Sequence, residues 1–305
     1  MRVVSKNFSG VLNGATQVFG VIGDPIRHSL SPAMQNAALK ALGRDCVYVP
    51  FRVEPQNLET SLEGLRALNV QGINVTIPHK VEVMKYLDKI DPMASFVGAV
   101  NTVFNTDEGL VGYNTDGIGF LRSLQEEAGK EPHGQAITIL GAGGAARAIG
   151  FQLAASNAKT IVIANRTAAK ARALACDIRV HTHCEVFGVG LHELDLHLPT
   201  TDILINTTSL GMYPHVESSP PAQFALLSCK ALVCDIVYNP AETLFLKKAR
   251  AEGLATLTGL GMLAYQGAAS LEIWLGEQAP VDTMKLVLAR QLGHSDGGFP
   301  LDAFD

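Results

Sequence analysis

The sequence predicts an α/β fold in two domains, and three observations carry that prediction. Short apolar runs rich in Val, Ile and Thr alternate with segments of helical period through residues 17–116, the pattern of strands joined by crossover helices. A second block of the same kind follows the polar stretch 129–134. The length of 305 residues suits two domains better than one. Alternation of this kind implies a largely parallel sheet, with an antiparallel edge where two strands meet in a hairpin.

The elements follow in order. Residues 18–22 form a strand, followed by the loop Gly23-Asp24-Pro25. Ser31 and Pro32 open a helix through Leu42, with Ser31 as its N-cap, and Gly43 stops it. Residues 46–51 are the next strand, 58–68 a helix, and 73–77 a strand whose Ile, Val and Thr suit a pleated, half-buried surface. Pro78 cannot continue a central strand but suits the first turn of a helix, and Val81, Met84 and Leu87 recur at helical spacing. Strands at 99–104 and 110–113 flank a turn at 105–109 and read as a hairpin. A helix over 117–128 leads to the second block, with strands at 136–140, 160–164, 203–206 and 232–236. From Gly259 a helical pattern returns through Leu263, Gln266, Ser270 and Trp274. The end, from Gly293 to Asp305, is rich in Gly and Asp and reads as a mobile tail.

Composition excludes several classes. Apolar residues make up 47% and charged residues 17%, which describes an ordinary globular chain. A net charge of -5 argues against a nucleic-acid partner, and Lys247, Lys248 and Arg250 are explained by a solvated helix face. No apolar stretch is long enough to span a bilayer, and the N-terminus lacks the apolar run of a signal peptide. Five cysteines without a CxxC pair fit a reducing compartment, so the expected location is the cytoplasm. The run His181-Thr182-His183-Cys184 lacks a second ligand pair, and no metal is expected.

Two local patterns carry chemistry. Lys80 follows a strand end and, with His79, falls where the predicted helix begins, at the positive end of its dipole. A cation there gives up between a few tenths and about 1 kcal/mol. It is either a solvent-facing lysine or one tuned for proton transfer at a strand end, where α/β proteins place ligands. The second pattern is Gly141-Ala142-Gly143-Gly144-Ala145-Ala146, between a strand and a helix, which matches the dinucleotide fingerprint G-x-G-x-x-G/A. Gly141 allows the tight turn, Gly143 lets backbone approach a pyrophosphate, and Ala146 permits close helix packing. About 20 residues on stands Asn165-Arg166-Thr167, with Lys170 one turn later, where an NAD site would carry a carboxylate. Arg166 and Lys170 would attract a 2′-phosphate, which favours NADP; the alternative is that both are ordinary surface charges.

Further polar residues stand at strand ends and helix starts. Ser29 and Ser31 offer hydroxyls near a helix N-terminus, a seat for a carboxylate, and capping accounts for Ser31 but not for Ser29. Asn101 lies within an apolar strand, where its amide needs a partner. Asp116, taken singly, reads as the cap of the next helix.

Together these segments resemble the shikimate dehydrogenase family, which includes the quinate dehydrogenases. The resemblance runs through Ser-x-Ser-Pro, Asn-Val-Thr-Ile-Pro-His-Lys, Gly-Ala-Val-Asn-Thr, Asn-Thr-Asp-Gly, Gly-Ala-Gly-Gly-Ala and Asn-Arg-Thr. It continues through Asn206-Thr207-Thr208-Ser209-Leu210-Gly211-Met212, Asp235-Ile236-Val237-Tyr238-Asn239-Pro240 and Gly261-Met262-Leu263-Ala264-Tyr265-Gln266. It covers about residues 18 to 276 in the family's order.

The resemblance implies an N-terminal α/β substrate domain with a mostly parallel sheet, residues 1–116 completed by 260–305. It also implies a Rossmann-type NADP-binding domain over 117–259. It implies that Ser29 and Ser31, helped by Tyr238, hold a substrate carboxylate, and that Thr76, Asn101 and Gln266 hydrogen-bond ring hydroxyls. Lys80 and Asp116 would form the catalytic pair and also touch substrate. On the cofactor side it implies Gly141, Ala142, Gly143, Gly144, Ala145, Asn165, Arg166, Thr167, Lys170, Thr207, Met212 and Gly259, with Met212 near the nicotinamide.

The expected activity is NADP-dependent interconversion of 3-dehydroshikimate and shikimate, with Lys80 as proton donor and acceptor and Asp116 fixing its direction. His79 is the rival acid/base, placed second because its side chain is expected to point outward. A quinate dehydrogenase or an orphan-substrate paralogue is the alternative within the enzymes, and a non-catalytic NADP or shikimate sensor the alternative outside them. The expected partner is a small molecule, with neither nucleic acid nor membrane; a homodimer is left open.

Overall fold

The computed structural model describes residues 12–293. Its first stretch comprises β1 (Gln17–Gly23), α1 (Ser31–Ala41), β2 (Cys46–Arg52), α2 (Leu58–Ala67), β3 (Gly72–Val75), β4 (Lys89–Ile90), α3 (Pro92–Val97), β5 (Thr102–Thr106) and β6 (Gly109–Tyr113). Then come α4 (Asp116–Ala128), β7 (Ala136–Leu140), α5 (Gly144–Ala155), β8 (Thr160–Asn165), α6 (Ala168–His181), β9 (Glu185–Gly190), β10 (Ile203–Asn206), β11 (Leu232–Asp235), α7 (Leu244–Ala251) and β12 (Ala255–Leu257). Two helices come last among the described residues, α8 (Gly259–Leu275) and α9 (Val281–Gln291). The tail expected to be mobile lies, from residue 294 on, outside the described residues.

The chain divides into two compact units. One runs to Thr115 and resumes at Gln266; the other is Asp116–Tyr265. The division near the C-terminus falls within α8, a few residues past the 259/260 boundary read from the sequence, because the helix continues unbroken across it.

The first unit holds a six-stranded sheet in the order β2-β1-β3-β5-β6-β4. β1 pairs parallel with β2 and β3, and β5 pairs antiparallel with β3 and β6. The hairpin is therefore present, but β4 pairs beyond it as the true edge. Strand periodicity divides the side chains between the two faces. Ile22, Ile73 and Val75 point into one cluster with Leu58, Leu62, Val83 and Val103. Phe19 points the other way, with its ring 5.2 Å from that of Trp274 on α8. Trp274 is held by its indole N–H, which donates to the Val103 carbonyl at 3.0 Å, and it occupies the space a side chain at Gly72 would need.

The second unit is a parallel six-stranded sheet in the order β12-β11-β10-β7-β8-β9. Numbered from its first strand, that is 3-2-1-4-5-6 read from the β9 side, the doubly wound order of the dinucleotide-binding fold. β9 and β12, its two edges, are short or Gly-interrupted and were not legible as strands.

Two sequence-based assignments are corrected around Lys80. The strand predicted over 73–77 ends at Val75, and the chain turns through residues 77–81. The predicted α-helix is a five-residue 3₁₀ segment, Glu82–Tyr86. The spacing misled because Val81 is exposed while Val83 fills the core. Asp88, whose amide donates to Leu110 O and whose carboxylate accepts from Leu110 N, ends the segment before a second turn can form. Such a segment has no α-helical macrodipole, so Lys80 is not set against one.

Candidate active site

In the first unit two candidate substrate residues, Asn101 and Gln266, belong to one buried polar network. Asn74 on β3 faces α8, opposite the apolar core, because Ile73 and Val75 take the other face. Its amide donates to Asn101 O and Thr102 Oγ1, both at 3.1 Å, and to Ser270 Oγ at 2.9 Å. Its carbonyl accepts from the phenol of Tyr48 at 2.8 Å, and the Ser31 hydroxyl lies beside that phenol. Burial pushes the Tyr48 phenol well above its ordinary pKa, so it stays protonated and donating.

From Asn74 the network reaches the residues singled out by sequence. Asn101 Oδ1 accepts from Thr115 N at 2.8 Å and from Thr102 Oγ1 at 2.9 Å, and its amide donates to Thr115 Oγ1 at 2.9 Å. The same amide lies 3.5 Å from Gln266 Oε1. On α8, Gln266, Ser270 and Trp274 recur every four residues and so share one face. The Ser270 hydroxyl donates to Gln266 O at 3.0 Å and lies 2.7 Å from Thr102 Oγ1. Asn101 itself precedes β5 rather than lying within a strand; its N–H donates to Tyr113 O and its carbonyl accepts from Val75 N.

Lys80 is tied to this network through the backbone. Its carbonyl accepts from Val100 N at 2.8 Å, and Val100 immediately precedes Asn101. Thr115, held by Asn101, immediately precedes Asp116, the first residue of α4. Thr76 is half-buried, with its amide bonded to Ile22 O and its carbonyl to His79 N. His79 does not point outward as expected: it is 1% exposed, and its Nε2 lies 2.7 Å from Val53 O. A carbonyl can only accept, so that nitrogen carries a hydrogen and is committed to holding the turn. This removes His79 as the rival acid/base.

The serine loop is also assigned differently. Leu30, not Ser31, is the N-cap of α1, and the Ser31 hydroxyl lies beside the Tyr48 phenol. Ser29 supplies the local turn bond, accepting from Ser31 N at 3.3 Å.

In the second unit the fingerprint loop joins β7 to α5. Gly141 has φ +112°, and a side chain there would meet Thr207 Oγ1 at 2.7 Å, so only glycine fits. Thr207 hydrogen-bonds Leu140 O, which sets the β7 and β10 loops side by side where the strand order reverses. Gly143 is the N-cap of α5, and at Gly143 and Gly144 a Cβ would meet nothing within 4 Å. Ala142 and Ala145 flank them, half-buried, and Ala146 is fully buried against the sheet. A capping glycine offers no side chain to the first amides of α5, which leaves them to an anion.

Asn165 closes β8, its amide donating to Thr167 O at 3.0 Å, and Thr167 is the N-cap of α6. Arg166 and Lys170 are exposed beside it. The residues present thus fit a dinucleotide with a phosphate on its ribose. Met212 is 47% exposed on the loop after β10. Tyr238, half-buried after β11, has its pKa raised by burial. Gly259 opens α8 against the carbonyl of Ile236, where no side chain would fit, so packing alone explains it.

The matches to known families fall on the same segments. A family model described as the shikimate dehydrogenase substrate binding domain matches residues 21–103. One described as shikimate / quinate 5-dehydrogenase matches 123–218, and one for the shikimate 5′-dehydrogenase C-terminal domain matches 259–288. The NADP(+) shikimate dehydrogenase of Desulforamulus reducens is 47% identical over 283 residues, 92% of this chain and 97% of that one.

The chain belongs to the shikimate dehydrogenase family.

Solved structures of the family agree. A shikimate dehydrogenase crystallised with NADP+ has a TM-score of 0.85 at 44% identity, covering 92% of this chain and 98% of its own. The Listeria monocytogenes enzyme, solved with shikimate and NAD, has a TM-score of 0.87 at 41% identity, covering 91% of this chain and 98% of its own.

Sequence reading missed Tyr48, Asn74, Thr102, Thr115 and Ser270. The signal was present, since Asn74 interrupts an apolar strand as Asn101 interrupts an apolar run, and a buried amide needs partners. Among the described residues no group of three or more His, Cys, Asp or Glu could hold a metal. His181 Nδ1 lies against Asp177 O and Cys184 Sγ against Ala158 O. No helix among the described residues is long and apolar enough to cross a membrane.

Proposed function

We propose that this chain catalyses the reversible, NADP-dependent reduction of 3-dehydroshikimate to shikimate, a step toward chorismate and the aromatic amino acids. The observation that carries the reading is the polar network from Tyr48 through Asn74 to Asn101, Ser270 and Gln266, with Ser31 beside Tyr48 and Lys80 tied in through Val100. It joins amides assigned to the ring hydroxyls to the segment that carries Lys80. The unit ending at Thr115 and resuming at Gln266 serves as the substrate domain, and the unit Asp116–Tyr265 serves as the NADP domain. All five cysteines are free, in keeping with the cytoplasm.

Ser29 and Ser31, with Tyr238, hold the carboxylate; Thr76, Asn101 and Gln266 hold the ring hydroxyls. When bound, NADP supplies or takes up the hydride. Gly141 to Ala145 and Thr207 would shape its seat, Asn165, Arg166, Thr167 and Lys170 would take its 2′-phosphate, and Met212 would serve on the nicotinamide side. As the ketone becomes an alcohol its oxygen needs one proton, and Lys80 Nζ donates it; in oxidation the neutral amine takes it back. Asp116 is the carboxylate assigned to direct the ammonium.

Initial rates with shikimate and quinate, each with NADP and NAD, test the reading. Fastest turnover is expected with shikimate and NADP. Fastest turnover with quinate and NAD would replace both choices, and tight NADP binding without turnover of either would favour a sensor.

A further inference from the structure

At the C-terminal ends of β10 and β11 lies a buried carboxylate that the proposed reaction leaves unused. Asp235 is 1% exposed and its hydrogen-bond donors are neutral. Oδ1 accepts from Asn206 Nδ2 and Val237 N, each at 3.0 Å, and Oδ2 accepts from Thr243 Oγ1 at 2.6 Å. Burial pushes its pKa up to about 6, against the pull of these three bonds. A buried charge without a counter-ion is an expensive way to end a strand.

Its partners show what it holds. Asn206 is fully buried, and its Oδ1 accepts from both the amide and hydroxyl of Thr208, at 2.9 and 2.7 Å. That fixes the turn leading to Gly211 (φ +91°) and Met212. Val237 is the residue before Tyr238, so its amide sets where that side chain departs. Thr243 is the N-cap of α7 and accepts from Leu246 N. The two loops are also joined directly, Tyr213 N donating to Asn239 O at 2.9 Å.

We propose that Asp235 is a positioning residue, whose carboxylate sets the Met212 and Tyr238 loops relative to each other. The inference rests on the roles proposed above for those two residues. Both carboxylate oxygens accept here, Oδ1 from two groups that can only donate and Oδ2 from a hydroxyl. Asparagine has the same shape but offers Asn206 and Val237 a neutral, weaker acceptor and turns an N–H₂ toward Thr243, whose hydroxyl must then accept instead of donate, loosening one loop while leaving the fingerprint loop 141–146 untouched.

The test compares wild type, Asp235→Asn, Thr243→Val and Thr243→Ser at pH 7.5. Shikimate oxidation, NADPH binding by fluorescence and thermal melting are measured on each. Asp235→Asn and Thr243→Val are expected to lower kcat at least tenfold and raise the KM for shikimate several-fold. Their NADPH Kd should stay within threefold and their melting temperature should not fall, and Thr243→Ser should restore wild-type kinetics. If Asp235→Asn does not fold, the two Thr243 variants decide. Kinetics within twofold of wild type for Asp235→Asn and Thr243→Val, or loss of activity only in proportion to lost folded protein, would overturn the proposal. A wild type that turns over no shikimate removes the proposed function, and the positioning role with it.

Discussion

Replacing Asp235 by Asn should flatten the pH dependence of stability, because the native carboxylate is held in its charged form at a cost. Its pKa is about 6 in the fold against 3.8 for the ordinary group. A raised folded pKa means that the native state binds the proton more readily than the unfolded chain. The penalty is absent below pH 4, grows as the unfolded group ionises, and is complete above pH 6. A difference of that size between the folded and unfolded chain corresponds to roughly 3 kcal/mol at pH 7 and about half that at pH 5. Asparagine stays neutral throughout, so this component vanishes in the variant. Urea denaturation of both proteins at pH 5 and pH 7 gives the double difference. The variant should gain on wild type by about 1 to 2 kcal/mol between the two pH values. Parallel stability curves would show that Asp235 does not ionise across this range and refute the reasoning. Combined with lower kcat, a gain in stability is the signature of a residue kept for function rather than for the fold.

Three further outcomes follow from the site. Lys80→Ala should lower kcat by roughly 100-fold or more with little change in shikimate affinity, as removal of a proton donor does; a raised KM with kcat intact would make Lys80 a binding residue. Arg166→Ala should lower kcat/KM for NADP by about 10- to 100-fold, from the loss of a charge-assisted bond of about 1.5–3 kcal/mol. Its rate with NAD should hardly change, and equal losses with both cofactors would remove Arg166 from the 2′-phosphate site. Ser270→Ala deprives the buried Asn74 amide and Thr102 hydroxyl of a partner and should cost about 1–3 kcal/mol by urea denaturation. A stability unchanged within error would mean that the network closes without it.

Where local pattern and tertiary structure agree, the sequence was legible. The fingerprint loop is the clearest case, since strand, glycines and helix are all local, and Gly141 and Gly143 fall where the turn and the open approach require them. The region of Lys80 shows the opposite. The spacing of Val81, Met84 and Leu87 is genuine, but the pairing of β4 with β6 and the bonds of Asp88 are long-range and leave room for only a 3₁₀ segment. His79 was misplaced for a related reason: its side chain is fixed by Val53 O, 26 residues away and invisible in the local pattern. β9 escaped notice because Gly188 and Gly190 break its apolar run; Gly188 is demanded by the backbone of Ala171 on α6, which a side chain there would strike.

Three buried polar residues to which the sequence reading gave no role share a position as well as a cause. Asn74 is one residue from the end of β3, Asn206 ends β10 and Asp235 ends β11, each a buried polar group in an otherwise apolar strand. Read singly, each looks like an amide or carboxylate that merely needs satisfying. In the fold, each spends its hydrogen bonds on a segment carrying a candidate functional residue: Asn74 on Asn101 and Ser270, Asn206 on the turn to Met212, and Asp235 on the backbone before Tyr238. A parallel sheet buries its strand interiors on both faces, so a polar residue there is retained only where the strand hands over to a loop that must be aimed. Lys80, which the sequence sets against a helix dipole, is aimed in the same way. Its carbonyl is pinned by Val100 beside Asn101, which fixes the backbone from which the side chain departs.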